Sequence, residues 1–187
     1  MLNRDLKYFY FGNSIDNRIK TNLLKYKNIS YVFEWNNDKE NLLKVKNYCK
    51  RINIRFYLSN NINLAKIIKV DGIHIKADNK KLVYINKSKF DIIGTAHNQL
   101  DFYFKKQQGC KSIFLSPLFN TKKYSNNKIL GILRFNLLSN NWGTPIYALG
   151  GINNNNIKKL KNTKAIGIGG VSYLMKDIQI KKPTSYF

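Results

Sequence analysis

The sequence predicts an α/β protein, a small single-domain (β/α)8 or TIM barrel spanning residues 1–187. Two observations lead there. The first is a set of eight short runs rich in β-branched and aromatic residues: Leu6–Phe11, Ile29–Trp35, Ile54–Leu58, Gly72–Ile75, Asp91–Thr95, Ser112–Leu115, Pro145–Leu149 and Ala165–Ile168. Several are apolar almost throughout and do not alternate, the mark of parallel strands covered on both faces. The second is their spacing. From start to start they lie 23, 25, 18, 19, 21, 33 and 20 residues apart, about the length of one strand, one helix and two short loops. No break in composition divides the chain. A doubly wound open sheet is the alternative, but eight even units favour closure. The usual barrel has about 250 residues, so the helices here must be short.

The intervening segments carry helical spacing. After a start signal at Asn37 and Asp38, Leu42, Leu43, Val45 and Lys46 lead toward Cys49. Leu64, Ile67 and Ile68 give the next apolar face. Asn98 caps a helix with Leu100, Phe104 and Gln108 along one side, and Gly109 supplies its stop. The run Asn153–Asn156 reads as the cap of a helix bearing Ile157 and Leu160. The 33-residue interval leaves a long loop from about Ser116 to Leu130 after the sixth strand. In such barrels the loops that follow strands build the active face. The tail Lys181–Phe187 is expected to fray.

Composition narrows the functional classes. With 43% apolar and 13% aromatic residues, the chain can bury a core, which excludes global disorder. No apolar run approaches the roughly 20 residues needed to span a bilayer. The aromatic run Tyr8–Phe11 is too short for a signal-peptide core. A cytoplasmic protein without a membrane partner is therefore expected. The 33 Lys+Arg against 10 Asp+Glu give a formal charge of +23. Lysine outnumbers arginine 28 to 5 and the cations are spread along the chain. Specific phosphate and base recognition leans on arginine, so a specific nucleic-acid role is not expected. A small anionic substrate fits the charge equally well. Cys49 and Cys110 form no C-x-x-C motif and read as buried free thiols. The oligomeric state stays open.

The chemistry-bearing residues gather at strand ends. Gly150-Gly151 follows the seventh strand, and Gly169-Gly170 ends the eighth. Glycines let backbone N–H groups approach an anion closely, and loops after strands seven and eight of a barrel often hold phosphate. Thr95 and His97 close the fifth strand as the catalytic candidates. His74 lies inside the fourth strand, facing either the lumen or the helices, and is read as structural. Asp78 and Glu34 sit at strand ends, where a barrel can hold a metal. Magnesium bound to a diphosphate needs only one or two protein carboxylates.

Five ordered segments carry a family resemblance. They are Asp71-Gly72-Ile73-His74-Ile75, Ile93-Gly94-Thr95-Ala96-His97, Phe114-Leu115-Ser116-Pro117-Leu118-Phe119-Asn120-Thr121, Leu130-Gly131 and Ala148-Leu149-Gly150-Gly151-Ile152. In order and spacing the stretch from Asp71 to about Leu174 resembles the thiamine phosphate synthase and thiazole tautomerase superfamily. The resemblance implies a synthase that joins an aminopyrimidine diphosphate to a thiazole phosphate with loss of pyrophosphate, assisted by Mg2+. It implies that Gly150, Gly151, Gly169 and Gly170 hold the thiazole phosphate, that Thr95 lies near the diphosphate, and that Thr121 with Lys122 or Lys123 reaches the substrate. It puts Ser59 and Asn60 in the diphosphate subsite and, with a one-residue slip from Asn79, Asp78 on the metal. The chain also departs from the pattern. Val32, Glu34 and Asn36 stand where the family has Gln-x-Arg-x-Lys, and Ser59-Asn60 replaces Asn-Asp. Pro117 stands where the tautomerase branch has histidine. The reading that competes with synthesis is a phosphate-binding barrel, tautomerase-like or regulatory, without the condensation.

Overall fold

In the computed structural model, residues 6–82, 90–121, 128–140, 143–171 and 173–175 are described. Eight parallel strands close into a barrel in sequence order. They are β1 (Lys7–Gly12), β2 (Ile29–Phe33), β3 (Arg55–Ser59), β4 (Gly72–Ile75), β5 (Asp91–Ala96), β6 (Ser112–Leu115), β7 (Ile146–Leu149) and β8 (Gly167–Gly170). The open-sheet alternative fails at one pair: β1 bonds to β8 as well as to β2, with Lys7 opposite Gly167. Around the barrel lie α1 (Asn17–Leu23), α2 (Lys39–Arg51), α3 (Ile62–Ile68), α4 (Gln99–Gln107) and α5 (Gly131–Asn140). The frayed tail expected at 181–187 lies outside the described residues.

The strands sit where the apolar runs fall, with shifted ends. β8 begins two residues later than the run at Ala165 suggests. The Ala165 N–H instead donates to Thr163 Oγ1, and the ladder with β1 starts at Gly167. Asx side chains start four helices: Asp16, Asp38, Asn61 and Asn98 each accept a hydrogen bond from the backbone three residues on. Gly109, at φ 76, ends α4. Within the Asn153–Asn156 run, Asn153 Oδ1 accepts from the Asn155 N–H, while Asn156, which directly precedes the next segment, makes no side-chain cap bond. Asn153 and Asn156 turn back onto the Gly151 carbonyl, and a 3₁₀ segment, Ile157–Asn162, follows.

Packing forms two layers. Outward strand residues such as Tyr31, Phe33, Leu58, Ile73, Ile92 and Leu115 meet the helices. Inward residues fill the lumen: Phe9, Phe11, Val32, Tyr57, Ile93, Phe114 and Tyr147. So many rings fit because glycines face them. A Cβ on Gly169 would stand 2.8 Å from the Phe11 ring and 2.9 Å from the Phe114 ring. A Cβ on Gly72 would stand 2.3 Å from the Tyr57 ring. Large and small side chains alternate around a lumen too narrow for rings on every strand.

Helix faces depart from the expected ones in three places. On α2, Leu42, Val45 and Cys49 are buried as their spacing requires, while Leu43 is exposed. On α3 the buried residue is Ala65, and Ile67 is 75% exposed. On α4 the buried face is Asp101, Phe102 and Lys105, with Gln108 just beyond the helix, while Leu100 is exposed. Both cysteines are buried free thiols, as expected. Burial pushes each thiol up to about 12, which removes them as nucleophiles.

Candidate active site at the C-terminal mouth

The strand ends surround a cavity of about 480 Å³. Phe11 and Leu149 supply apolar wall, and polar groups come from the loops after β2, β4, β5 and β6. Strand alternation puts His74 on the lumen face with Gly72, and Thr95 with Ile93. The imidazole lies 5.3 Å from the Phe11 ring and 6.1 Å from the Phe114 ring. His74 therefore faces the lumen, the first of the two orientations its strand allowed.

A buried polar chain underlies the cavity floor. Ser59 Oγ lies 2.7 Å from His74 Nδ1, and His74 Nε2 lies 2.8 Å from Thr95 Oγ1. Burial, and then the charges of Lys76 and Lys105, lower the imidazole to about 3. At neutral pH it is uncharged, so it donates at one nitrogen and accepts at the other. That fixes the Thr95 hydroxyl at the cavity without placing a charge beneath it. Ser59 is fully buried in this chain, so its hydroxyl serves His74.

His97 lines the mouth through another set of contacts. Its Nδ1 lies 2.7 Å from the Ser116 carbonyl. A carbonyl only accepts, so Nδ1 carries the proton. Its backbone N–H donates to Asp101 Oδ2 at 2.9 Å. Asp101 also takes the Lys80 ammonium, so the loops after β4 and β5 are knitted together. Glu34 faces the same cavity, 4.0 Å from the Lys76 ammonium. Asp78 lines both this cavity and a neighbouring one shared with Asn60 and Asn61. Asn60 does not reach the main cavity floor. Its Oδ1 accepts from the Lys76 N–H at 3.0 Å and the Asn79 amide at 3.3 Å.

The glycines divide into three kinds. Gly150 and Gly151 have φ of 90° and 71°, a region that glycine enters freely. A Cβ on Gly151 would stand 2.4 Å from the Phe119 carbonyl oxygen. The loop after β6 thus lies directly on the loop after β7, and Leu118 N–H and Phe119 N–H donate to the Leu149 and Gly150 carbonyls. Gly169 faces the packed lumen, whereas Gly170 faces open space. Thr121, in the loop after β6, is half-buried. Lys122 and Lys123 lie outside the described residues.

Sequence reasoning missed Lys76, Lys80 and Asp101 as wall residues. Lys76 and Lys80 sit two residues either side of Asp78, so they share a loop with a residue already singled out. Asp101 had only its position in the first turn of α4 to mark it.

The site can accommodate the metal that the resemblance implies. Among the described residues no three His, Cys, Asp or Glu side chains converge, so they form no all-protein cage. Asp78 and Glu34 offer hard oxygen ligands to one cavity, and a magnesium ion carried on a diphosphate asks for no more.

Comparison with known proteins agrees with the geometry. The family model for thiamine monophosphate synthase matches residues 13–174. Thiamine-phosphate synthase of Prochlorococcus marinus strain AS9601 is 34% identical over 153 residues, 79% of this chain. The chain spans 44% of that relative's length. Thiamine-phosphate synthase of Fusobacterium nucleatum is 30% identical over 181 residues, covering 94% of this chain and 86% of the relative. The thiamine phosphate pyrophosphorylase structure from Pyrococcus furiosus superposes with a TM-score of 0.75 at 14% identity, over 94% of this chain and 90% of that one. At that identity the superposition speaks for the barrel, and the sequence matches speak for the lineage. The chain belongs to the thiamine monophosphate synthase family.

Proposed function

We propose that this chain is a transferase that condenses an aminopyrimidine diphosphate with a thiazole phosphate, releasing pyrophosphate and forming thiamine phosphate. The observation that carries the reading is one cavity at the mouth of a family barrel, with cations, carboxylates and a fixed hydroxyl facing an apolar wall. In the reaction the bond from the pyrimidine methylene carbon to the diphosphate oxygen breaks, and its electron pair leaves with pyrophosphate. The thiazole nitrogen then gives its lone pair to that carbon. Holding both rings in line supplies much of the acceleration.

Lys76 and Lys80 set positive charge beside the departing diphosphate. Thr95, fixed by His74, presents its hydroxyl there. His97, just after β5, borders the reacting carbon from the cavity wall. Phe11 and Leu149 give the rings an apolar wall. The thiazole phosphate sits against Gly150, Gly151 and Gly170, with Thr121 reaching it from the loop after β6; Lys122 and Lys123 follow Thr121 in the sequence. Asp78, with Glu34, would hold magnesium, which neutralises the leaving group when bound. The chain acts as one barrel domain in the cytoplasm on soluble phosphorylated substrates.

The test is product identification. With both precursors and magnesium, mass spectrometry should find thiamine phosphate, and omission of either precursor should abolish it. Binding of thiazole phosphate without any product would instead mark a barrel that keeps the ligand site and not the condensation.

A further inference from the structure

A helix packed on a barrel strand ordinarily buries an apolar stripe at i, i+4 and i+7. On α4, beside the buried Phe102, the residues at those positions are Asp101, Lys105 and Gln108, which are 5%, 0% and 4% exposed. Burying three polar side chains is costly unless each is satisfied. Here their partners lie largely in one place, the segment just after β4. Lys105 Nζ donates to the Asn79 carbonyl at 2.8 Å and to Gln108 Oε1 at 2.9 Å. Gln108 Nε2 donates to the Asn79 and Lys81 carbonyls, both at 2.9 Å. Asp101 receives the Lys80 ammonium. On the other side, Asn60 Oδ1 accepts from the Lys76 backbone and the Asn79 side chain. The segment gripped from both sides carries Asp78 and Lys80 into the cavity.

We propose that Lys105 and Gln108 are positioning residues: they form a buried polar mount that holds the 78–81 segment so that Asp78 and Lys80 meet a magnesium-bearing diphosphate. Neither residue lies on the cavity wall, so they act through the backbone they hold. An apolar pair would satisfy the packing without burying an ammonium. The donors give something that hydrocarbon cannot, a fixed direction for two carbonyls, and an ammonium makes the stronger bond. Burial lowers Lys105 to about 8, the mark of a charge held against its solvation preference. The magnesium–diphosphate part rests on the cavity reading given above.

The test uses the full chain with Lys105→Met, Gln108→Leu and the double variant. Three readouts are thermal unfolding, hydrogen exchange at residues 79–81, and calorimetric binding of magnesium pyrophosphate. The proposal expects exchange at 79–81 to rise in both single variants. It expects affinity for magnesium pyrophosphate to fall roughly tenfold or more, as for other supports of ligating groups. The double variant should lose little beyond either single one, because both grip the Asn79 carbonyl. Wild-type affinity in folded variants would overturn the proposal. If Lys105→Met does not fold, Gln108→Leu decides alone. If the wild type itself fails to bind magnesium pyrophosphate, the cavity reading falls. Unchanged exchange at 79–81 in the variants would then overturn the mount as well.

Discussion

Single residues decide how the barrel closes and how its floor is charged. Gly169 and Gly170 are neighbours with opposite surroundings: one abuts Phe11 and Phe114, the other faces open space. Gly169→Ala should cost roughly 1–3 kcal/mol by overpacking the lumen. Gly170→Ala should leave stability within about 0.5 kcal/mol, and denaturant unfolding of the two variants checks both. His74 is lowered from 6.5 to about 3 by burial first and by Lys76 and Lys105 after it. The unfolded chain takes up this proton near its ordinary value, and the folded chain resists it. The stability His74 contributes is therefore fully present above pH 6.5 and is lost as pH falls toward 3. The melting-temperature gap between wild type and His74→Gln should narrow as pH falls from about 7 to about 4. A constant gap would mean that His74 titrates alike in both states.

At the scale of elements, the strands were legible and the helix faces only partly so. Apolar runs such as Ile29–Phe33 and Gly72–Ile75 mark strands whichever way they face, because both faces are covered. The same property hid the orientation of His74, since neighbours on both sides of it are apolar. Helix α4 misled for a physical reason. Its buried stripe is polar and meets the loop after β4, so apolar spacing pointed to Leu100, on the wet side. The Asn153–Asn156 run resembles a cap, yet its amides close on the Gly151 carbonyl. That closure shapes the loop after β7 against the loop after β6. Gly151→Asp would force a side chain into the Phe119 and Asn120 carbonyls and add negative charge. Calorimetry should find thiazole phosphate binding abolished in this variant. Unchanged affinity would remove the phosphate from that loop.

For the whole molecule, the ordered motifs gave the family, and the chain's departures from the pattern gave its individuality. Glu34 reverses a charge at the end of β2, and Lys76 stands 4.0 Å from it across the mouth. Lys76 and Lys80 bring cations to the same cavity from β4. Single-position matching could not show this, because these cations come from the loop after a different strand. The excess of lysine gives the chain a formal charge of +23, a field that attracts anions. No helix among the described residues is long and apolar enough to cross a membrane. The most direct test of the account is continuous detection of pyrophosphate with magnesium present and each precursor withheld in turn. Rapid release is expected only when the pyrimidine diphosphate and the thiazole phosphate are both supplied. No release with both present, or equal release from the pyrimidine diphosphate alone, would contradict it.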